Sequence, residues 1–412
     1  MNVLVVGGGP GGLFLAVALR RLDPACRVTV RERRPAGTTH GWGIAVATAA
    51  SDRDDLLRGV GAVDPETAEA LRRTSVGWES QVVVAPGGRR VHLGGSGWCT
   101  SRQRLIDVLA GRARALGAEV RFDAEVPDAE VTDALAGEHD LVVLADGAGS
   151  RFRRARADRF GTTESPGGTR HVWLGTSMPL RDFTYAFERT TAGWIWCYGY
   201  RHAADAGTVI VECSAQTWAG LGFDTADAAA TTETLSRIFA AHLEGHPLRC
   251  RPGEPGRGPW ESFTTIRNER WSDGNLVLLG DAAHTAHFSI GSGTTMALAD
   301  AAALGRALAG RGPDGLPAAV RAYEDERRPA VLALQEAAAR SAGWFEAVDR
   351  HAQLPPLEFG LSLRLRRSGD AVDAPPALLR GLHRATQWRL GRGLRRAVAR
   401  RRRGTRRRAP AG

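Results

Sequence analysis

Short apolar runs alternate with helical patterns at both ends of the chain, and the middle has a different texture. Residues 3–6 form an apolar run of the length of a buried parallel strand, and five glycines follow between Gly7 and Gly12. Leu13, Val17, Ala18 and Leu22 then keep helical spacing. A second strand is expected over residues 27–30, a helix through Leu105, Leu109 and Ala113, and strands over 119–122 and 141–145. From Thr169 to Ser214 the period becomes two: Phe183, Tyr185 and Phe187 share one face of a strand, and Trp194, Trp196, Tyr198 and Tyr200 share one face of the next. Residues 209–213 make a third strand, so the pattern predicts an antiparallel sheet with an aromatic face. Residues 224–242 read as a helix. Residues 276–279 are another buried strand, 294–308 a small-residue helix, and 316–341 two helical patterns, before Pro355-Pro356 interrupts the chain.

The fold class that follows is α/β with an α+β insert: a Rossmann-like domain, an inserted antiparallel-sheet domain and a helical C-terminal region. The dinucleotide domain is expected to be discontinuous, over residues 1–75, 100–160 and 263–345. The sheet domain takes 76–99 and 161–262, with a Pro/Gly-rich linker at 251–259. Helices are expected over 346–395 and a basic tail over 396–412.

Charge changes this picture only at one end. The formal net charge is +10, but twelve arginines and no acid lie from Arg384 onward, and without them it falls to −2. Such a body does not suit a nucleic-acid-binding enzyme, and the tail is a basic appendage, expected to be disordered or a loosely held helix. It is either inert or a lure for an anionic partner. The five cysteines are scattered with no CxxC pair, so no zinc site, other metal site or disulfide framework is expected, and a reducing, cytoplasmic setting fits. No apolar stretch approaches the ~18 residues of a membrane span, and the N-terminal run is expected to be a strand rather than a signal peptide.

The candidate chemistry begins at the first turn. Gly7, Gly9 and Gly12 form G-x-G-x-x-G between strand and helix, and Glu32 follows at the end of the second strand, 25 residues after Gly7. That is the spacing of a carboxylate that grips ribose hydroxyls beside a pyrophosphate on a helix N-terminus. No second such motif exists, so only one dinucleotide has a dedicated fold. Gly41 and Gly43 around Trp42 permit close backbone approach to a flat ligand, or simply a turn. Arg102 starts a helix, where it reaches a phosphate or ribityl chain or else is a solvated arginine. Asp146, Ser150 and Arg153 form D-G-x-x-S-x-x-R, in which Asp146 could cap a turn and Arg153 face an anion. Asp281 ends a buried strand before a glycine-containing loop and a helix start at Gly293, a place to hold a polyol hydroxyl and stabilise negative charge on a bound ring. The aromatic face is a ligand wall, a core face packed on helices, or both.

In this order, G-x-G-x-x-G with Glu32, D-G-x-x-S-x-x-R and GDAAHTAHFSIGSGT resemble the single-component, class A FAD-dependent aromatic monooxygenases of the para-hydroxybenzoate hydroxylase type, over roughly residues 3–341. AHFSIGSGT, Gly41-Trp42-Gly43, Trp173-Leu174-Gly175-Thr176-Ser177 and Ile210-Val211-Glu212-Cys213-Ser214 look like the branch of salicylyl-CoA 5-hydroxylase and the violacein-pathway indole hydroxylase. The proline pair usual after GDAAH is absent; His287 and Phe288 stand there, as in that branch. The resemblance implies that Gly7, Gly9 and Gly12 hold the FAD pyrophosphate and Glu32 the adenosine ribose, with Arg33 among the cofactor-binding residues, that Arg102 lies along the ribityl-phosphate and that Asp281 binds a ribityl hydroxyl. It implies that Gly43 and Ile44 pass backbone beside the isoalloxazine, that the helix after Gly293 faces the flavin N1–C2 edge, and that Asp146 and Arg153 support FAD and a transient nicotinamide. NADH or NADPH would be the reductant and O2 the co-substrate, with oxygen transfer through a C4a-hydroperoxide to an electron-rich ring, either an indole or an aryl group linked to CoA or a carrier. Tyr185, Trp194, Trp196, Tyr198, His287 and Phe288 would meet that substrate, with His287 as candidate base. A flavin reductase or desaturase uses the same FAD motifs, and a flavin-binding scaffold tethered by the tail would need no turnover. A halogenase is disfavoured because the chain has no lysine. No motif sets the oligomeric state.

Overall fold

A computed structural model of the chain describes residues 1–39, 41–48, 55–127, 137–250 and 259–367. The tail, most of the linker and the C-terminal helices expected beyond residue 367 lie outside the described residues. The architecture is the expected one: a Rossmann-like domain, an inserted antiparallel sheet and a helical C-terminal region.

The apolar runs at the two ends of the chain assemble into a six-stranded sheet. Its order is Ser272–Asp273, Leu276–Leu278, Leu141–Leu144, Asn2–Val6, Arg27–Arg31 and Glu119–Arg121, parallel except for the first. Val3, Val5, Val142 and Val143 have no exposed surface; each such side chain contributes about 1.5–3 kcal/mol of burial. Helix Pro10–Leu22 lies across the sheet against helix Gly293–Leu308. Small residues let these helices approach closely: a Cβ on Gly11 would sit 3.3 Å from the Ala297 Cβ, and one on Gly305 2.7 Å from the Ala18 Cβ. Two helix N-termini are thereby brought to one end of the sheet.

The period-two segments form a seven-stranded sheet in the order Leu248–Arg249, Thr169–Thr176, Gly207–Ser214, Trp194–Arg201, Phe183–Arg189, Gln81–Val84 and Arg90–Gly94. Its register sets His171, Glu212, Trp196 and Phe187 in one row, and Trp173, Ile210, Tyr198 and Tyr185 in the next. The outer face buries Val172, Leu174, Val209, Val211 and Phe239, and the inner face carries the aromatic residues. A three-stranded sheet of Val76–Trp78, Ser96–Ser101 and Gly43–Thr48 joins the two larger ones.

Two helices differ from expectation. The patterns over 316–341 are one 31-residue helix, Leu316–Glu346, running through Pro329. Its apolar stripe, from Val320 and Tyr323 to Trp344 and Phe345, is buried along both domains, and that packing outweighs the backbone hydrogen bond lost at proline. The helix expected over 224–242 starts later, at Ala228, because the Asp227 carboxylate accepts the Ala230 N–H at 2.8 Å and caps it there. Among the described residues no helix is long and apolar enough to cross a membrane.

Candidate active site

The first glycine turn is built by close contacts. A Cβ on Gly7, where φ is +112°, would lie 2.3 Å from the Ala145 carbonyl oxygen, and one on Gly12 2.2 Å from that of Gly7. Gly9 has nothing within 4 Å of such a position, so open space lies before the helix it precedes. Gly9 caps that helix without a side-chain bond, leaving first-turn N–H groups available to an anion. The Glu32 carboxylate reaches back over the turn, accepting the Gly8 N–H at 2.7 Å and the Arg34 N–H at 2.9 Å. Arg33 is exposed at the end of the same strand.

A second group of polar residues borders the start of helix Gly293–Leu308. Asp281 is solvent-accessible although protein surrounds it, the mark of a side chain on the wall of a deep cavity. Its Oδ1 is 3.9 Å from where a Gly293 Cβ would be, so glycine leaves the approach to this helix end clear. Burial pushes the Asp281 carboxyl above the usual carboxylate range, against the pull of the Arg102 and His284 charges. Burial likewise lowers Arg102, against the attraction of Asp281. Asp146 is also raised, again by burial. The Arg102 Nε, Asp146 Oδ1 and Ser292 Oγ are buried without a partner. Ser292 caps its helix without a side-chain bond. Orphaned donors and acceptors beside two uncapped helix ends match a long ligand with phosphates and hydroxyls, the chemistry of FAD.

Other motif residues serve as braces for these loops. Arg153 has no exposed surface, and its guanidinium donates to the carbonyls of Ala282 and Ala148 and to Glu164 Oε1. It therefore ties the 146–153 loop to the 280–282 turn, and no face of it is presented to a nicotinamide. His284 Nε2 lies 2.8 Å from Asp300, which also accepts from Arg327 at 2.8 Å, fixing the same turn to two helices.

The Gly41-Trp42-Gly43 loop and the Trp173-Leu174-Gly175 strand interlock. A Cβ on Gly41 would fall 2.5 Å from the Trp173 ring, and one on Gly175 2.7 Å from the Trp42 ring. Each glycine makes room for the other motif's indole. Gly43 lies against His202; its N–H donates to Thr208 and its carbonyl accepts from the Tyr200 hydroxyl, so both polar groups go to the sheet. Ile44, next in the strand, is buried.

The aromatic face divides in two. Trp196 stacks on Phe345 at 5.6 Å, and Phe187 contacts Phe345, Trp344 and Phe359, so this row is a core face covered by the C-terminal helices. Trp194 lines a surface groove of about 400 Å³ with Arg189, Gln216 and Thr217. Tyr185, Tyr198, Phe288 and His287 are brought together: ring centroids lie 5.5 Å apart for Tyr185–Tyr198, 6.0 Å for Tyr198–Phe288 and 4.3 Å for His287–Phe288. Ile210 and Phe183 keep partial exposure although they sit inside the sheet on this face, which requires open space above them.

At the junction of the two halves lies Glu212, with no exposed surface. Its Oε2 accepts from Trp196 Nε1 at 3.0 Å and from the Tyr198 hydroxyl at 2.5 Å; its Oε1 accepts from Thr169 at 2.6 Å and lies 3.2 Å from His287 Nε2. Burial acts to raise this carboxyl, but the His287, Thr169 and Tyr198 contacts prevail and hold it below the usual range. Burial and the Glu212 charge together push Tyr198 well above the usual phenol range. His287 Nδ1 accepts the Ser289 N–H at 3.3 Å, which assigns its proton to Nε2, toward Glu212. Glu212 and Ser289 are absent from the sequence-predicted set, as are Ile210 and Phe183. One signal was available for Glu212: it is the single charge in the apolar strand VIVEC, in phase with the aromatic face.

The model of the FAD binding domain family matches residues 1–338. Salicyloyl-CoA 5-hydroxylase of a Streptomyces species is 38% identical over 362 residues, covering 86% of this chain and 67% of that protein. The 3-hydroxy-4-methyl-anthranilyl-[aryl-carrier protein] 5-monooxygenase of Streptosporangium sibiricum is 36% identical, covering 84% and 89%. Protodeoxyviolaceinate monooxygenase of Chromobacterium violaceum is 30% identical, covering 94% and 100%. Among solved structures, P. aeruginosa PqsL in complex with 2-aminobenzoylacetate shares the fold with a TM-score of 0.64 at 20% identity, covering 85% of this chain and 98% of that one. With its glycine turn, its Asp281 cavity and its aromatic sheet, this chain belongs to that family and is an FAD-binding enzyme of the aromatic monooxygenase type.

Proposed function

We propose that the enzyme hydroxylates an electron-rich aromatic ring, presented as an aryl thioester or an indole, with NADH or NADPH as reductant and O2 as co-substrate. The observation that carries this reading is a partly open aromatic wall, Phe183, Tyr185, Tyr198, Ile210 and Phe288, with one buried polar centre at Glu212 and His287. Two of the relatives carry a CoA-linked or carrier-linked aryl group in their names, which supports the thioester class and the salicyloyl-CoA hydroxylase branch.

FAD, when bound and reduced, supplies the activated oxygen. Gly7, Gly9 and Gly12 would receive its pyrophosphate, and Glu32 with Arg33 its ribose. Arg102 and Asp281 would hold the ribityl-phosphate, with Asp146 in support. Gly43, Ile44 and Gly293 would flank its ring. Tyr185, Tyr198 and Phe288 would place the substrate ring and keep water out, while Trp196 packs beside them and Trp194 lines the outer groove. His287 would accept the proton released from the substrate at Nδ1, giving up the Ser289 N–H. The imidazolium so formed would stand against the Glu212 carboxylate, which holds the ring's orientation.

The test is a product-mass screen of aryl-CoA, carrier-bound aryl and indole substrates with NADH and with NADPH. The proposal expects a product that has gained one oxygen atom from O2. Reductant consumption with a product lacking new oxygen would replace it with a reductase or desaturase.

A further inference from the structure

Arg366 lies past the Pro355-Pro356 break, at the end of helix Pro356–Leu365, and is only 3% exposed. Among the described residues no carboxylate forms an ion pair with it, an uncommon state for an enclosed guanidinium. Its hydrogen bonds go elsewhere. Nη2 donates to the Ser289 carbonyl at 2.7 Å and to the Tyr185 hydroxyl at 3.2 Å, Nε to Ser341 Oγ at 2.9 Å, and Nη1 to the Leu363 carbonyl at 2.7 Å. Its Cζ lies 5.5 Å from the ring centroids of both Tyr185 and Phe345. Ser341 Oγ in turn meets Ser289 Oγ at 2.8 Å, and the Ser289 N–H is the donor to His287 Nδ1. The neighbouring Arg367 donates to the Ile290 carbonyl at 3.0 Å.

We infer that Arg366 is a positioning residue: its guanidinium clamps the Phe288–Ile290 turn that carries His287 to Tyr185 of the aromatic wall. The inference rests on the role proposed for His287. One rigid, planar donor set reaches the turn, the wall and the long helix through three N–H bonds, and a fourth holds it to the Leu363 carbonyl of its own helix. The segment that follows the long helix thus completes the site, although no cofactor motif lies there. Without the clamp the turn loses a fixed carbonyl and the imidazole loses its fixed distance to Glu212.

The test compares Arg366→Ala, Arg366→Lys, His287→Ala and the Arg366→Ala/His287→Ala double variant as FAD-loaded holoenzymes, with salicyloyl-CoA and NADH. The readout is product formed per NADH consumed, with flavin absorbance as the measure of a folded, loaded protein. Arg366→Ala should lower coupling about tenfold, as misplacement of a reacting group does, while retaining FAD. Arg366→Lys should recover part of it, since an ammonium reaches the turn or the wall but not all three elements. The double variant should be no worse than His287→Ala alone, because both changes act on one group. Wild-type coupling in Arg366→Ala, or a double variant whose losses multiply, overturns the inference while leaving the role of His287 intact. Unchanged coupling in His287→Ala removes that role, and the clamp with it. If Arg366→Ala does not fold, Arg366→Lys and Ser341→Ala carry the comparison. If salicyloyl-CoA is not turned over, crystal structures of the same holoenzymes decide: the 3.2 Å separation of His287 from Glu212 should lengthen in Arg366→Ala, and an unchanged separation refutes the clamp.

Discussion

Glu212→Gln is the most informative single change to this protein. The wild-type carboxylate takes hydrogen bonds from Thr169, Trp196 and Tyr198 and faces the Nε2–H of His287, two groups on each oxygen. Glutamine has the same shape but only one accepting oxygen; its amide nitrogen is a donor. The Thr169 and Tyr198 hydroxyls can turn to accept from the amide, so whichever way it is placed one obligate donor, the Trp196 or the His287 N–H, meets another donor. A buried donor left unmade costs about 1–3 kcal/mol, so the substitution should destabilise the folded holoenzyme by about 2 kcal/mol. Urea unfolding at fixed excess FAD measures this as a shift in midpoint at unchanged slope. Acid adds an independent reading. Because its contacts hold the Glu212 carboxyl below the usual range, its contribution is complete above that range and is lost only as pH falls through the depressed folded value. That limb of the acid transition should be absent in Glu212→Gln. Coupling of NAD(P)H to product should fall with it, since the carboxylate that orients His287 is gone. A loss below about 1 kcal/mol with an unchanged acid limb would refute the account of four donors anchored on one charge.

Three further outcomes are expected. Asp281→Ala should lower FAD occupancy, read from the ratio of flavin to protein absorbance; and because burial raises the Asp281 carboxyl, wild-type FAD retention should decline on acidification before ordinary carboxylates titrate, a dependence that Asp281→Asn should lack. Gly175→Ala sets a Cβ 2.7 Å from the Trp42 ring and should cost about 1–3 kcal/mol by overpacking, seen as a lower thermal midpoint; no change would mean the two indole-glycine contacts are not a rigid joint. Deleting residues 396–412 should leave FAD content and folding unchanged, with KM the same at low salt; a several-fold rise in KM that disappears at high salt would instead establish electrostatic steering of an anionic, carrier-linked substrate.

Local pattern was sufficient for much of this protein. The apolar strand before five glycines, the carboxylate after the second strand and the Gly280-Asp281 turn are signals carried within a few residues, because backbone geometry and helix ends act over that range. They made the α/β class and the cofactor family legible, and period-two alternation did the same for the inserted sheet. Alternation also placed Trp194, Trp196, Tyr198 and Tyr200 on one face, since side chains in a strand point to opposite sides by turns. Alternation does not encode what covers that face. Only the folded chain set Phe345 over Trp196 and left Ile210 and Phe183 partly open. Helix Leu316–Glu346 passes through Pro329 for the same reason: its apolar stripe has partners in both domains that no local propensity reports. The polar centre is the clearest case. Glu212, His287, Ser289 and Arg366 come from a strand, a short turn and the end of helix Pro356–Leu365, and their chemistry exists only in the contacts between them. A buried carboxylate or guanidinium is stable solely where distant segments supply its hydrogen bonds, so its meaning is decided by tertiary structure and not by its neighbours in the chain.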